Sequence, residues 1–305
     1  MTHTERLTAR IVDVVSKLPD TVRQKHADYV LSVQAEDGGF PGRRGASDVY
    51  YTGFAARVLT VTNAWNDCAL DGVGAYLRDA WERLHTLVEY TSWLTAAASL
   101  RLAGYQGDLI PEQTIEQTIG RLLDELRRDD GGYAKAHASG RSSTYHTYLA
   151  VLCAELLGMA LPDRDAVFHM LRTRHQGDGG FSELPVLRFS GTNTTAAAVG
   201  IMEAVGIGWE PYVVPVTRFL CGMQTSEGGF LAAARAPMPD LLSTCTALLT
   251  LDRLNALNAC DVGAAKRFVE QLELPEGGFL GAMVDEVPDV EYTFYGLVAS
   301  GLTAG

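Results

Sequence analysis

Two carboxyl side chains stand two residues apart in the segment Asp289, Val290, Glu291, Tyr292, Thr293, at the head of the apolar run TFYGLVASGL. A carboxyl held in an apolar cavity beside a second carboxylate resists ionisation, because its charged form loses hydration and meets like charge. It then stays protonated near neutral pH and can act as a general acid. Asp48 and Asp240 precede two other apolar runs in the same way. The aromatic residues Tyr50, Tyr51, Tyr145, Tyr148, Phe294 and Tyr295, if turned inward, can stabilise positive charge through their π faces. His146, Asn193, Arg188 and Arg235 complete the polar candidates. Each has a plain structural alternative. An aspartate or asparagine caps a helix, a histidine on an apolar helix forms a hydrogen bond in the core, loop arginines are solvated, and aromatic rings fill space. Glu291 is the least easily explained that way, since it lies beside a cap position and not at one.

The elements that must position these residues are announced by a repeat. An acidic residue followed by Gly-Gly-aromatic recurs as EDGGF at 36–40, DDGGY at 129–133, GDGGF at 177–181, SEGGF at 226–230 and PEGGF at 275–279. The second glycines of the last four copies, Gly132, Gly180, Gly229 and Gly278, are 48, 49 and 49 residues apart. That period suits a pair of helices. Gly39 precedes Gly132 by 93 residues, which leaves room for one copy without glycines. Six helix pairs are therefore expected in one closed unit over residues 1–305.

Within each unit the segment before the glycines has helical period, as in Phe268, Val269 and Leu272. The Gly-Gly pair is expected to end that helix, since glycine takes the left-handed conformation of a C-terminal cap. A loop of roughly ten residues follows. Asp48, Ser143, Asp240 or Asp289 then caps the second helix. The second helices (TGFAARVLTV, TYLAVLCAELLG, TAAAVGIMEAVG, CTALLTL, TFYGLVASGL) are apolar on most sides and belong inside. Alternating outer and inner helices around a closed ring make an all-α structure, an α/α toroid with a central apolar cavity. The N-terminal ends of its inner helices meet at one rim, where a site is expected.

The formal net charge of -12 disfavours nucleic acid and anionic membranes as partners, since both require a positive field. No apolar run suggests a secretory signal or a membrane span, so a soluble, cytoplasmic chain is expected. Five cysteines without a CxxC pair argue against a disulfide framework.

The helix pairs, the GGF signature, KHADYV at 25–30, DVYYT at 48–52 and YGLVASGLTAG at 295–305 together resemble the prenyltransferase and squalene-cyclase repeat family, with particular likeness to the β subunits of Rab geranylgeranyltransferases. The resemblance implies the toroid, an isoprenoid ligand and a helical partner like the family's α subunit. It also implies a zinc ion held by D-x-C-Y and D-x-x-H-T motifs. Here only Asp240 of the three ligands is retained: Leu242 stands at the cysteine position and Tyr292 at the histidine position. Cys245, a turn or more deeper along the same helix, is the alternative thiol that could take the cysteine's place. A leucine offers no lone pair, so zinc is not expected as a cofactor. The family's cations for a lipid diphosphate are thinned as well, with Ser143 where a histidine belongs and only Arg235 in its loop; Arg188 and Lys135 are the available substitutes. The reading is a divergent prenyltransferase β-subunit-like protein with an incomplete zinc site. Related terpene cyclases place D-x-D-D-T at the head of an inner helix, and Asp289, Glu291 and Tyr292 fall in that frame with Glu291 at the acid position. An acid-initiated cyclase is thus one alternative, and a non-catalytic lipid-binding or interaction module is another.

Overall fold

A computed structural model describes residues 1–161 and 163–304. Gly305, the last residue of the C-terminal stretch named above, lies outside the described residues. Thirteen α-helices are present and, among the described residues, no β-strand beyond isolated bridges. After α1 (His3–Ser16) the helices alternate. The outer layer is α2 (Asp20–Ser32), α4 (Asp67–Ala80), α6 (Glu112–Leu126), α8 (Arg164–Arg174), α10 (Glu210–Gly222) and α12 (Val262–Leu272). The inner layer is α3 (Val49–Val61), α5 (Leu87–Leu102), α7 (Thr144–Leu156), α9 (Thr192–Ala204), α11 (Leu241–Arg253) and α13 (Val290–Thr303). Each inner helix packs on the next, and α13 returns to α3, so the six pairs form a closed toroid. The pair without glycines is α4 and α5, joined by a 3-10 turn at Trp81–Arg83.

The glycines do something other than end helices. The outer helices before them stop five or six residues earlier, and the first glycine of each pair closes a separate tight turn, as where the N–H of Gly228 donates to the Thr225 carbonyl. These first glycines have positive φ, +97° at Gly228 and at Gly277. The reason is intimate packing. A Cβ on Gly228 would lie 2.1 Å from the Ala264 carbonyl oxygen on the next outer helix, and one on Gly277 would lie 2.6 Å from that of Lys25 on α2, across the point where the ring closes.

The aromatic after the glycines then buries itself, with Phe40, Phe181, Phe230 and Phe279 at most 1% exposed. Each such ring contributes roughly 2–3 kcal/mol of apolar burial. The backbone N–H of Phe40, Tyr133, Phe181 and Phe230 donates to the hydroxyl of Thr52, Thr147, Thr195 and Thr244 at 2.9 Å, which explains the threonine carried in the first turn of these inner helices. Asp48, Ser143, Asp240 and Asp289 are the N-caps expected of them, whereas α9 begins at Gly191 without a side-chain cap. Rim loops are linked in series: the N–H groups of Thr144, Thr192 and Leu241 donate to the carbonyls of Glu183, Ala232 and Gly281 in the following repeat.

Helix α1 contacts α3, α7, α9 and α13 and lies across the C-terminal ends of the inner helices. Glu155 of α7 accepts from the backbone of His3 and Thr4, Arg6 pairs with Glu203 of α9, and Arg10 pairs with Asp252 of α11. One end of the ring is closed by this helix, which leaves the rim of inner-helix N-termini as the open end. Since an alanine strains a positive-φ site and here also meets a backbone, Gly228→Ala is expected to destabilise the fold by about 3 kcal/mol. Gly45→Ala, at φ +100° with nothing within 4 Å, is expected to show only the smaller backbone penalty. Thermal unfolding of the two variants side by side checks the difference.

Candidate functional site at the open rim

The inner helices are not sealed along their whole length. Tyr145, Tyr148 and Leu152 on α7, and Leu242, Thr246 and Leu249 on α11, follow each other at three- and four-residue steps and are all only partly buried, while most of the residues between them are buried. Such a stripe on an inner helix faces the axis, and solvent-sized space must reach it. Tyr145 is 39% exposed. The stripes that face the axis are mixed in character, carrying aliphatic groups, tyrosine hydroxyls and, on α3, Arg57.

Glu291 sits in the first turn of α13 and is 9% exposed. Its Oε1 accepts a hydrogen bond from the Tyr50 hydroxyl of α3 at 2.6 Å. Burial raises its pKa above the usual carboxylate value; the neighbouring Asp289 adds to this, while the Tyr50 hydroxyl, Arg57 and Arg43 oppose it. The same desolvation pushes the Tyr50 phenol upward, so it remains a donor. Around the pair the rings of Tyr50, Phe54, Phe294 and Tyr295 form an edge-to-face cluster, with Tyr50 and Phe54 centroids 5.1 Å apart and Phe54 and Tyr295 5.3 Å apart. Tyr51 meets Tyr50 edge-on at 5.3 Å. The sequence candidates Glu291, Tyr51, Phe294 and Tyr295 are thus brought together.

Asp289 has a different position. It caps α13 through the Tyr292 N–H and takes the Arg43 guanidinium at 3.0 Å, while Arg43 also holds Asp285. Burial still raises its pKa, against both of those contacts. Tyr292 lies under the Arg43 cation, 5.2 Å from its ring centroid, and its phenol is pushed up to about 12 by burial. Asp240 caps α11, with Oδ1 accepting from the Ser243 N–H at 2.7 Å and Oδ2 from the Ser243 hydroxyl at 2.8 Å; burial raises it too. Cys245 is 2% exposed, and burial pushes its thiol pKa up. Among the described residues no three His, Cys, Asp or Glu side chains form a metal-binding group.

The remaining candidates are spread out. Tyr148 points toward the closed end, where its hydroxyl bonds to His3 Nε2 at 3.0 Å. Asn193 clamps α9 to α11, accepting from the Thr246 hydroxyl at 2.6 Å. Arg188 and Arg235 are exposed on their rim loops and make no hydrogen bond or ion pair among the described residues. His146 shares a hydrogen-bonded chain with Ser143 and Glu183, and burial lowers its pKa to about 4, helped by the nearby Lys135 charge. This chain edges a rim cleft of ≈ 470 Å³ that is also lined by Lys135 and Arg141.

Two arginines escaped the sequence reading. Arg43 is disguised as an ordinary loop charge, and only the ring closure that sets the α3 loop beside the α13 loop makes it a partner of Asp289. Arg57 left a signal: it is the only charge in TGFAARVLTV, seven residues after Tyr50 and hence on the same stripe of α3. Its guanidinium lies over Phe54 at 4.3 Å and Phe294 at 5.1 Å.

With this geometry in view, comparison with known proteins places the chain. Residues 7–230 and 210–304 match the family described as the prenyltransferase alpha-alpha toroid domain, and the chain belongs to that family. Protein geranylgeranyltransferase-I from Candida albicans, solved with GGPP, is similar in structure, with a TM-score of 0.68 at 15% identity over 92% of this chain and 91% of that one. A variant of the type II terpene cyclase MstE from Scytonema, solved with merosterolic acid A, gives 0.65 at 14% identity over 96% of this chain and 98% of that one. A protein from Actinoplanes gives 0.58 at 16% identity, over 93% and 99% of the two chains. At such identities these likenesses establish the fold alone. No curated protein sequence is significantly similar to the chain. No helix among the described residues is long and apolar enough to cross a membrane.

Glu291 titrates above its unfolded value, so the stability it contributes is complete below the unfolded pKa and is lost as pH rises through the folded one. Glu291→Gln removes this loss. Its melting temperature relative to the unsubstituted protein is expected to climb as pH is raised from about 4 to about 8, the other raised carboxyls cancelling in the difference.

Proposed function

We propose that the chain binds an isoprenoid in the hollow of its toroid and that Glu291 delivers a proton to it, initiating cyclisation without a metal. The observation that carries this reading is a buried carboxyl, raised in pKa, hydrogen-bonded to Tyr50 and set among aromatic rings at the open end of a chamber. In the first step the Glu291 O–H breaks, the π pair of a terminal alkene forms the new C–H bond, and a tertiary cation and a carboxylate result; an epoxide oxygen takes the proton more readily. The Tyr50 hydroxyl and the fields of Arg43 and Arg57 stabilise that carboxylate, which matters because a raised pKa keeps the acid loaded but also weakens it. The next alkene closes on the cation, tyrosine and phenylalanine faces lower the energy of the charge, and loss of a proton ends the reaction. Likeness in size supports this: an acid-initiated mechanism does not require a second toroid, since a type II terpene cyclase chain matches this one over nearly its whole length.

The zinc of protein prenyl transfer does not fit these residues. Leu242 has no lone pair, the Tyr292 phenol is held protonated, the Cys245 thiol is buried as S–H, and both Asp240 oxygens are committed to Ser243. A second reading, the divergent prenyltransferase acting on a prenyl diphosphate with a helical partner subunit, is favoured by the rim cleft where Lys135 and Arg141 meet His146. Incubation of purified protein with geranylgeraniol, its terminal epoxide and geranylgeranyl diphosphate, with and without EDTA, separates the readings. The proposal expects cyclised product in EDTA, falling at least about a hundredfold in Glu291→Gln. Diphosphate release that needs added metal and survives Glu291→Gln would instead support the prenyltransferase. Binding without turnover of any of the three would leave a lipid-binding module.

Zinc supplies an independent check. The chain is expected to retain no zinc after dialysis, whereas the double variant Leu242→Cys, Tyr292→His, which restores the donor types beside Asp240, is expected to hold about one equivalent by metal analysis.

A further inference from the structure

Arg57 is the interior cation of this toroid. It stands in the middle of the inner helix α3, and its guanidinium makes no hydrogen bond and no ion pair among the described residues; its Nε is shielded from solvent and unpartnered. An arginine carries five N–H donors and stays charged in proteins. That cation is partly buried on an inner helix without a carboxylate, so its donors are available to a ligand. The Phe54 and Phe294 faces hold the plane of the group in place but satisfy none of its donors.

The surroundings indicate what completes it. A small cavity of ≈ 90 Å³ opens beside Arg57, lined by Thr60, Thr95, Ser99 and Leu156 on the inner helices and by Thr8 on α1. It accepts a group of carboxylate size, and a single arginine is a poor match for the multiple charges of a diphosphate. The Thr60, Thr95 and Ser99 hydroxyls already donate to backbone carbonyls of their own helices, so Arg57 is the principal donor there. Tyr50, which carries Glu291, lies two helical turns above Arg57 on the same stripe, a rise of about 10 Å.

We infer that Arg57 is a positioning residue that anchors the acidic end of the ligand, so that the chamber takes a carboxylate-bearing isoprenoid inserted acid first. The carboxylate pairs with the guanidinium near the closed end, and the hydrocarbon runs upward past Phe54 and Phe294 to present its far alkene to Glu291. This polarity is opposite to that of a chain whose charged end remains at the rim. The inference deepens the isoprenoid reading and rests on it.

Isothermal titration with farnesoic acid, farnesol and dodecanoate tests it, using the unsubstituted protein, Arg57→Met and Arg57→Lys, each checked for helicity and melting temperature. The expected result is farnesoic acid bound at least tenfold more tightly than farnesol, a preference abolished in Arg57→Met with farnesol affinity unchanged and partly kept in Arg57→Lys. Equal affinities for acid and alcohol, or a preference that survives Arg57→Met, would overturn the anchor. Dodecanoate bound in an Arg57-dependent way while neither isoprenoid binds would sink the isoprenoid reading and leave the anchor standing. Failure of all three to bind would remove both.

Discussion

The contact between a side-chain-free turn and the backbone of the next outer helix is what allows six helix pairs to become a ring. Gly228 against Ala264, and Gly277 against Lys25, bring main chains to a separation that no Cβ permits. The second contact repeats the glycine–carbonyl approach between the last turn and the first outer helix, so the toroid closes with one of the contacts that build it. The buried aromatic and its N–H bond to the inner-helix threonine then fix how each turn leads into the inner layer. A helix pair alone could not bury its apolar inner face; the ring buries it from both sides.

The two ends of that axis are made different by simple means. At one end α1 is held by carboxylates at the last turns of the inner helices and closes the ring. At the other, capping residues and loop-to-loop hydrogen bonds gather the N-termini of the inner helices, whose partial positive charge favours carboxylates nearby. Asp240 and Asp289 are absorbed by this structural task. Glu291, two residues beyond the cap, is not held by a capping contact and is left with a tyrosine hydroxyl and an aromatic wall.

The electrostatics of the chamber also limit its chemistry. A thiolate, an imidazole and a carboxylate would draw a divalent ion; a leucine, a neutral phenol and a capped aspartate do not. In their place stand one carboxyl raised in pKa near the rim and one cation deeper down, Glu291 on α13 and Arg57 on the neighbouring α3. A ligand with an alkene at one end and an acid at the other fits that axial order of charges.

Much of the fold was legible in the sequence because it is local and repeated: the period of the glycine signatures, the apolar inner helices and the caps at Asp48, Ser143, Asp240 and Asp289 all depend on neighbours in the chain. The sequence suggests helix capping for the glycines and conceals their packing role, because close approach to another helix leaves no mark beyond the glycine itself. Glu291 could be singled out from its place beside a cap, and the inward tyrosines from their helix. The tertiary structure alone decided that Arg43 is the partner of Asp289, that Tyr148 and Asn193 are engaged in holding helices together, and that Arg57 has no counter-ion among the described residues. Those contacts join residues separated by 53 to 246 positions in the chain, brought together only when the ring closes. Chain order determined the helices and their caps; closure determined which charges meet and which stand alone.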